Sequence, residues 1–596
     1  MATVIRQLDD EVVERPFNKS QFLRLLKYMK PYKKQITMSL VLMAAATVCT
    51  LGNTYLMSRA VGQLSEKRFT YVPYLLCGMV LMSVIAAFCT RKRIRWMDSA
   101  GRRAIAKLRE DLFRHIQNMS FSFFDTRSAG KLLVRVINDV NSLNDLFSNG
   151  IVNVIIECLT LVLLLVIMLA VNIRLTLIAL CILPFLGFGI FKIKRVVRLR
   201  WQKNSIKNST MNGYLHETLS GMRVTQSFVR EEENSDTFKN VSTDVKKSWM
   251  GAVRISSSFW PMLDLTGNIG TVLVYVFGVR FMQADALALA DLLLIIWYLG
   301  KFWEPLNALS DFYNSILTAA ASMERIFEIM DTQSAIQDKP EAKELPPIQG
   351  RVTFEHVTFG YNAEKTVLKD VSFDIRPGMT VALVGPTGAG KSTVVNLISR
   401  FYDVTGGSVM IDGHDVRDVE LKSIHRQMSV MMQDSFIFSG TIMDNIRYGR
   451  LDATDEEVIA AAKTVYAHGF IMAMEKGYQT VVNERGSSLS SGQRQLISFA
   501  RALLNDPKIL ILDEATSSID THTEMLIQKA LDVLLRGRTS FVIAHRLSTI
   551  RNADLIMVVR DGNIPERGNH EELIRLPGGH YRSLCEAQYR FMTAAD

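Results

Sequence analysis

Cysteine is scarce in this 596-residue chain: there are six cysteines and no CxxC pair. Five of the six fall in or beside apolar runs, where cysteine behaves as a small core hydrophobe. The six are Cys49, Cys77, Cys89, Cys158, Cys181 and Cys585. This usage excludes a disulfide framework and a cysteine-based zinc site.

The N-terminus lacks the basic-then-apolar order of a cleavable signal peptide, and no organelle-targeting segment is seen. About 35 residues precede the first long apolar run, too few for a folded domain. We therefore expect neither a cleaved leader nor an N-terminal peptidase domain.

Basic residues are in excess, giving a net charge of +10. A nucleic-acid partner is one explanation, but the basic clusters "KPYKK" (30–34), "RKRIR" (91–95) and "KIKRVVRLRWQK" (192–203) flank long apolar runs. Such an excess is typical of the cytoplasmic side of membrane segments. We therefore expect no nucleic acid and a cytoplasmic N-terminus.

Long apolar runs occur almost only before residue 310, and a spanning helix needs about 20 such residues. The sequence predicts six spans at 37–60, 71–90, 150–170, 174–193, 260–281 and 286–304. The cytoplasmic connections between them are long and carry helical periodicity, as in 100–119. We expect the membrane helices to continue into the cytoplasm.

The second half of the chain changes in character. The polar segment 330–350 carries three prolines and is typical of a linker. Beyond it, short β-branched runs such as "VTFEHVTF", "VALVG", "ILILDEA", "SFVIAH" and "LIMVV" alternate with helical patterns. This alternation predicts an α/β domain with a largely parallel central sheet.

The stretch "VALVGPTGAGKST" (381–393) combines a strand, a Gly-rich loop and a helix start, and matches G-x-x-x-x-G-K-[ST]. Backbone N–H groups of such a loop surround phosphate oxygens, a lysine adds a cation, and a serine hydroxyl ligates Mg²⁺. The predicted ATP-binding residues are Gly385, Pro386, Thr387, Gly388, Ala389, Gly390, Lys391, Ser392 and Thr393.

The stretch "KILILDEATSSID" (508–520) is an apolar strand that ends in two carboxylates. At the carboxyl end of a sheet strand, Asp513 is placed to hold the Mg²⁺ shell and Glu514 to polarise an attacking water. Beside a phosphate loop, this pair predicts ATP hydrolysis.

These motifs together resemble an ATP-binding cassette (ABC) nucleotide-binding domain, and nearly the whole chain resembles a half-transporter of the ABC exporter family. The resemblance implies a six-span α-helical membrane domain of the type I exporter fold (1–329), a linker (330–350), and an α/β P-loop ATPase domain with a helical subdomain (351–596). It also implies ATP and Mg²⁺ as cofactors.

The resemblance also assigns individual residues. It implies that Tyr361 stacks on adenine, that Gln433 joins the metal and the attacking water to the membrane domain, and that His545 lies near the γ-phosphate. Glu484 in "TVVNERG" matches a motif that senses the coupling helices. The implied catalytic residues are Glu514, His545 and Gln433, the implied metal ligands are Ser392, Gln433 and Asp513, and the remaining nucleotide contacts are Ser490, Gly492, Gln493 and Asp520.

The stretch "RGSSLSSGQRQLISFARALL" (485–504) is typical of a helix N-terminus that holds an anion, although the phosphate loop lies about a hundred residues earlier. In the resembling family, this signature helix caps the ATP of a partner cassette. We therefore expect a dimer of half-transporters, either a homodimer or a heterodimer.

Two positions depart from the family pattern. Ser491 replaces the first glycine of the usual Leu-Ser-Gly-Gly-Gln signature, which costs little at negative φ and strains the turn at positive φ. Pro565 stands where the family has an apolar strand residue, and its missing N–H fits an edge strand.

Segments 123–140 and 212–233 resemble the cytoplasmic coupling elements of exporters, with short helices that meet grooves beside Gln433 and Glu484. Glu157 and Asp264 lie within predicted spans. They indicate either a cavity that prefers cations, or helix–helix hydrogen bonds and headgroup positions.

The resemblance implies an ATP-driven exporter or flippase of amphipathic drugs, lipids or peptides. It is expected as a multi-pass protein of the cell (inner or plasma) membrane, in contact with lipid and with a cytoplasmic ATPase domain. The alternatives are an importer built on the exporter fold, such as one for metal chelates, and an ATP-gated channel or regulator. Intact Glu514 and His545 argue against gating alone.

Overall fold

The computed structural model describes residues 18–181, 183–284, 287–362, 365–432, 435–513, 520–543 and 550–593. The chain forms two compact units. One unit comprises the chain up to His115 together with Gly130–Asp331, and the other comprises Ile116–Ala129 together with the chain from Thr332 onward. Residues 1–17, which lack the pattern of a signal peptide, lie outside the described residues.

The first unit is helical. Its helices are α1 (Lys19–Met29), α2 (Lys33–Ser65), α3 (Val72–Gln117), α5 (Ala129–Val134), α6 (Val140–Asp145), α7 (Ile151–Val171), α8 (Ile173–Leu180), α9 (Leu183–Ser220), α10 (Met222–Ser227), α11 (Glu231–Ser256), α12 (Phe259–Gln283), α13 (Leu289–Lys301) and α14 (Trp303–Asp331). The short helix α4 (Phe121–Asp125) lies within the second unit. The turns Arg135–Asp139 and Leu146–Gly150 are π-helical.

Among the described residues, four helical segments are long and apolar enough to cross a membrane: Ser20–Ser65, Phe69–Gln117, Val152–Val171 and Asp264–Gln283. These segments contain the predicted spans 37–60 and 71–90 completely, and most residues of the predicted spans 150–170 and 260–281. The predicted spans 174–193 and 286–304 fall on interrupted helices, α8 followed by α9 and α13 followed by α14. Pro184 and Pro305 lie in the first turns of α9 and α14, where proline's missing N–H is tolerated. In the interior of a continuous helix the same residue would remove a backbone hydrogen bond.

Apolar side chains hold the helices of the first unit together. Leu51, Leu164, Val274 and Leu294 belong to one buried cluster, and the Tyr298 hydroxyl within it donates a 2.9 Å hydrogen bond to the Leu51 carbonyl oxygen. That bond satisfies the only polar atom that the Tyr298 side chain brings into this cluster.

Three sheets are formed by the described residues of the second unit. Its strands are β1 (Val352–Phe359), β2 (Leu368–Ile375), β3 (Thr380–Val384), β4 (Gly406–Ile411), β5 (His414–Asp415), β6 (Met428–Met431), β7 (Gly440–Thr441), β8 (Val481–Val482), β9 (Ile509–Asp513), β10 (Thr539–Ile543), β11 (Leu555–Arg560) and β12 (Asn563–Gly568). Its further helices are α15 (Lys391–Ile398), α16 (Leu421–Arg426), α17 (Ile442–Arg447), α18 (Asp455–Thr464), α19 (His468–Met472), α20 (Ser491–Leu504), α21 (Thr521–Leu535), α22 (His570–Ile574) and α23 (His580–Thr593).

The six-stranded sheet has the order β12-β11-β3-β10-β9-β6, and every pair in it is parallel except β11–β12. The expected largely parallel sheet is therefore confirmed. Pro565 lies in β12 at the edge of this sheet, as its missing N–H requires. A second, antiparallel sheet has the order β2-β1-β4-β5 and was not expected from the sequence.

The register of the parallel strands sets the position of the site. Ile543 of β10 pairs with Leu383 of β3 on one side and with Asp513 of β9 on the other. The carboxyl ends of these three strands therefore meet at one edge of the sheet, which is where ligands bind in open α/β sheets.

Short helices are present in both predicted coupling segments. The helix α4 begins just before 123–140 and overlaps it, and α10 lies within 212–233. Exposed apolar side chains lie within α10, at Val224, and on either side of it, at Leu219 and Phe228.

Candidate nucleotide-binding site

The Gly-rich loop connects β3 to α15. Gly385, Gly388 and Gly390 all have positive φ, at 146°, 81° and 111°. A β-carbon at Gly385 would lie 2.1 Å from the carbonyl oxygen of Val559, whereas one at Gly388 would meet nothing within 4 Å. The loop therefore passes so close to the end of β11 that only glycine fits at its first position.

Lys391 is the first residue of α15 and is buried. Its ammonium donates hydrogen bonds of 2.7 Å to the Gly385 carbonyl oxygen and 3.0 Å to that of Pro386. Burial lowers the pKa of Lys391, and the charge of Asp513 partly opposes that shift. The loop thus holds a cation at the helix N-terminus, where the backbone N–H groups also favour an anion.

The predicted metal ligands are only partly described. Asp513 ends β9 and interacts electrostatically with Lys391, and the Ser392 side chain is exposed in the first turn of α15. No group of three or more His, Cys, Asp or Glu side chains is placed to hold a metal within the described part of the chain. Gln433, Glu514 and His545, the predicted catalytic residues, lie outside the described residues, as does the Glu484 side chain.

Tyr361 follows β1 and lies beside α15. Its hydroxyl is 3.2 Å from the Thr393 hydroxyl, and the Asn396 amide donates to it at 3.3 Å. Its ring is nearly perpendicular to those of Phe359 and Tyr402, with centroids 5.0 Å away in both cases. The structure therefore brings this predicted adenine-stacking residue to the helix that begins with Lys391.

The predicted signature forms the N-terminus of α20. Ser490 is its N-cap: the Ser490 hydroxyl accepts from the Gln493 N–H at 3.2 Å, and the Gln493 side chain accepts from the Ser490 N–H at 3.0 Å. This is a capping box. Ser491 is exposed, begins the helix and does not have positive φ, so the replacement of glycine causes no backbone strain.

Asp520 is the N-cap of α21, and its carboxylate accepts from the Thr523 N–H at 2.8 Å. That bond lowers the pKa of the Asp520 carboxyl. The neighbouring residues Ser517–Ile519 of the predicted loop lie outside the described residues. The described contact of Asp520 is with its own helix.

The two membrane carboxylates differ. Asp264 is exposed, whereas Glu157 is half-buried with Arg93 and Glu304 as charged neighbours. Arg93 also donates a 2.8 Å hydrogen bond to the Asn153 side chain. A cation from the chain itself therefore accompanies Glu157, which favours the interpretation of Glu157 as part of a helix–helix contact.

The sequence did not predict three residues near Tyr361. Asn396 and Tyr402 contact Tyr361 directly, and Asp125 contacts Tyr402. No spacing rule identifies them, because they come from a helix interior, a turn and a segment almost 240 residues away from Tyr361. The signal that was available is the chain order "RFYD" after α15, which places aromatic residues beside the phosphate-loop helix.

A glycine loop with a buried lysine at the carboxyl edge of a parallel sheet defines a P-loop nucleotide-binding domain. Here it is fused to a helical membrane domain. Residues 36–306 match the family model of the ABC transporter transmembrane region, and residues 368–517 match that of the ABC transporter.

The chain belongs to the ABC transporter family and has the organisation of an exporter half-transporter. It is 44% identical over 586 residues to the uncharacterized ABC transporter ATP-binding protein YknV of Bacillus subtilis, covering 97% of this chain and 96% of that one. It is 35% identical to the ATP-dependent lipid A-core flippase of Syntrophus aciditrophicus, covering 96% of this chain and 94% of that one. It is 35% identical to the putative multidrug export protein YgaD of B. subtilis, covering 92% and 96%.

Proposed function

We propose that this chain hydrolyses ATP to export or flip amphipathic compounds, such as drugs, lipids or peptides, across the cell membrane. Residues 1–329 form a six-span membrane domain, 330–350 a linker and 351–596 a cytoplasmic ATPase domain. Support comes from relatives named for lipid A-core flipping and multidrug export. The observation that carries the proposal is the buried Lys391 in a glycine loop beside Asp513.

In this proposal, ATP is held by the residues of the loop. Lys391 exchanges its bonds to loop carbonyls for bonds to the β- and γ-phosphates, and Tyr361 stacks on the base. The hard oxygen donors of Ser392 and Asp513 suit Mg²⁺, with Gln433 as a further ligand. Bound Mg²⁺ supplies neutralisation of phosphate charge; Glu514 orients the attacking water and His545 contacts the γ-phosphate.

The signature acts on the partner chain. Because the Ser490 hydroxyl accepts its intrachain hydrogen bond, its own hydrogen is available to donate to an anion. The exposed N-terminus of α20, with Ser490, Gly492 and Gln493, therefore suits the γ-phosphate held by a second half-transporter. Two ATP molecules then bridge the dimer, and hydrolysis releases it.

A cleft between β6 and α20 suits a coupling helix of the partner. It has a volume of about 340 Å³ and is lined by residues that include Met432, Phe436 and Arg501. Arg501 is fixed there by a 2.8 Å hydrogen bond to the Asn445 carbonyl oxygen and lies over the Tyr448 ring. An apolar helix flank such as that of α10 matches this aromatic lining.

The test is the ATPase activity of the purified chain in lipid nanodiscs, compared with Glu514→Gln, with the mass measured under the same conditions. We expect a dimeric mass and activity that falls by at least about 100-fold in Glu514→Gln, because the water loses its orienting carboxylate. The lipid and drug classes that stimulate the wild-type rate then identify the cargo.

Activity that survives Glu514→Gln would contradict the assignment of Glu514. A wild-type chain that neither hydrolyses nor binds ATP would contradict the proposed function. A dimer that binds ATP but hydrolyses it only after a second, different half-transporter is added would identify a heterodimer.

A further inference from the structure

Tyr402 connects two parts of the second unit that lie far apart in the sequence. Its ring centroid is 5.0 Å from that of Tyr361, with the two rings at 90°. Its hydroxyl donates a hydrogen bond to the carboxylate of Asp125 in α4. Tyr402 therefore contacts the proposed base-stacking residue on one side and a residue of the first cytoplasmic connection on the other.

The position of Tyr361 depends on these neighbours because the residue is 45% exposed. Thr393 and Asn396 of α15 fix its hydroxyl, and within the described residues the aromatic rings that contact its ring are those of Phe359 and Tyr402. An exposed aromatic ring stacks on a base well only when its plane is fixed beforehand. Tyr402 is thus one of two rings that set this plane.

The ring of Tyr402 also lies 5.7 Å from that of Phe359 and packs on the buried core, whereas the hydrogen bond at its hydroxyl end is the one to Asp125. Burial raises the pKa of the Tyr402 hydroxyl, and the bond to Asp125 raises it further, so the phenol is a permanent donor to that carboxylate. A charged acceptor makes this bond stronger than a neutral one. Asp125 ends a five-residue helix, where a negative charge gains nothing from the helix dipole, so its favourable partner is Tyr402.

The segment that carries Asp125 is itself well fixed. The ring of Phe121 stacks on that of Phe401 at 5.2 Å and 20°, and the Ser120 hydroxyl accepts from the Ala335 N–H at 3.2 Å. The Arg127 guanidinium lies 4.5 Å from the centre of the Phe123 ring. A displacement of this segment would therefore move the Asp125 carboxylate relative to Tyr402.

We propose that Asp125 is a positioning residue for the nucleotide base: through the Tyr402 hydroxyl it fixes the ring plane of Tyr361 and so sets the affinity for ATP. The inference rests on the proposed function in one respect, the stacking of Tyr361 on adenine. It adds a route by which the first cytoplasmic connection controls nucleotide affinity at the base, separately from the phosphates.

The test measures equilibrium binding of ATP to the full-length chain in nanodiscs, in the Glu514→Gln background so that ATP is not consumed. Tripolyphosphate, which has the phosphates but no base, is the matched probe and is measured by competition. We expect Asp125→Asn and Tyr402→Phe each to raise the Kd for ATP about three- to tenfold, less than the full contribution of a charge-assisted hydrogen bond, because the bond acts on the base only through Tyr361. The Kd for tripolyphosphate should stay within twofold.

Two further variants separate positioning from general damage. The double variant Asp125→Asn/Tyr402→Phe should bind ATP no more weakly than either single variant, because both remove the same bond. Asp98→Asn is the matched control, since it removes an exposed carboxylate paired with Arg102 and should not change either Kd. Tyr402→Phe removes only a hydroxyl, so it tests the route even if Asp125→Asn fails to fold.

Unchanged ATP affinity in Tyr402→Phe would overturn the inference, as would equal losses for ATP and tripolyphosphate. Tyr361→Ala distinguishes this failure from that of the proposed function. If Tyr361→Ala weakens ATP binding while Asp125→Asn and Tyr402→Phe do not, the positioning route is wrong and the site stands. If Tyr361→Ala has no effect, the stacking assignment itself is wrong and the inference falls with it.

Discussion

At the scale of single residues, the glycine loop shows how space and backbone conformation act separately. Gly385 and Gly388 both have positive φ, which an L side chain rarely adopts. Only Gly385 is also crowded, by the Val559 carbonyl oxygen. The two positions therefore form a natural pair for separating strain from collision.

We expect Gly388→Ala to lower the melting temperature of the full-length protein by about 2–4 °C, through backbone strain alone. Gly385→Ala should lower it by about 10 °C or more and abolish ATP binding, because the loop must leave β11. Thermal unfolding in nanodiscs and ATP binding measure both effects. Equal behaviour of the two variants would show that the approach to Val559 is unimportant.

The same scale shows what the sequence predicts well. The loop residues and Tyr361 were predicted because a spacing rule or a family motif marks them. The effect of Ser491 was left open because it depends on φ, which residue identity does not determine. Asp125 and Tyr402 were not predicted at all, because their contact depends on a long-range fold.

At the scale of elements, an ion cluster joins the π-helical turn Arg135–Asp139 to α14. The buried Asp139 carboxylate accepts from the Arg325 side chain at 2.6 and 3.0 Å, from Arg135 at 2.9 Å and from Ser322 at 3.1 Å. Since α14 ends at Asp331, where the first unit ends, this cluster fixes the last helix of that unit at one point.

We expect Asp139→Asn to lower the free energy of unfolding by about 2–3 kcal/mol at pH 7, because two arginines lose their shared anion. The loss is limited because both arginines still reach solvent. Burial alone raises the pKa of the Asp139 carboxyl, but hydrogen bonds from Arg325 and Arg135 outweigh it and lower the pKa. The cluster therefore makes its full contribution to the free energy of unfolding above pH about 4, the ordinary pKa of aspartate. That contribution is lost as the pH falls below this value.

Denaturant unfolding of the wild type and Asp139→Asn at pH 7 and at lower pH measures this effect. The difference in the free energy of unfolding between the two proteins should become smaller as the pH is lowered. Asp98→Asn, which removes an exposed ion pair, should change stability by less than about 0.5 kcal/mol at either pH. A difference that is independent of pH would mean that the charge of Asp139 does not stabilise the cluster.

The sequence predicts a strand well when nearly all of its residues are buried, because such a strand is a continuous apolar run. The strands β3, β9, β10 and β11 are almost continuously buried, and their apolar runs match the expected segments. The strand β2 was missed because exposed charged residues alternate with its buried ones. The predicted span 174–193 crosses the boundary between α8 and α9, and the predicted span 286–304 extends just past the end of α13 at Lys301, because hydropathy does not mark where a helix ends.

At the scale of the whole molecule, the proposed dimer places each phosphate loop opposite the signature of the other chain. Ser491 offers a way to test this arrangement, because it is exposed in the first turn of α20. The helix dipole favours an acidic side chain at this N-terminus, so the Ser491→Asp variant should fold normally. Its carboxylate should repel the partner's γ-phosphate.

We expect Lys391→Ala and Ser491→Asp each to be inactive alone, whereas co-assembly of the two restores ATP hydrolysis. A mixed dimer has one site in which both the loop and the signature are intact. Random assortment makes half of the dimers mixed, so up to about a quarter of the wild-type rate should return. Ser491→Gly is the control and should hydrolyse ATP within about twofold of the wild type.

The absence of recovery on mixing, with mixed dimers demonstrated by two affinity tags, would mean that each site is built within one chain. That outcome would remove the reason for expecting the signature to face a partner, although it would leave the loop and its lysine unaffected.

The discontinuity of the second unit also has a consequence for biosynthesis. The segment Ile116–Ala129 belongs to this unit, yet Phe121 leaves the ribosome about 280 residues before the Phe401 ring on which it stacks. At ordinary elongation rates that interval is roughly 15–60 seconds. An early-made segment must therefore stay available, with its aromatic side chains uncovered, until the rest of the unit has been translated. Truncated chains that end before residue 401 would expose Phe121 permanently and be substrates for quality control.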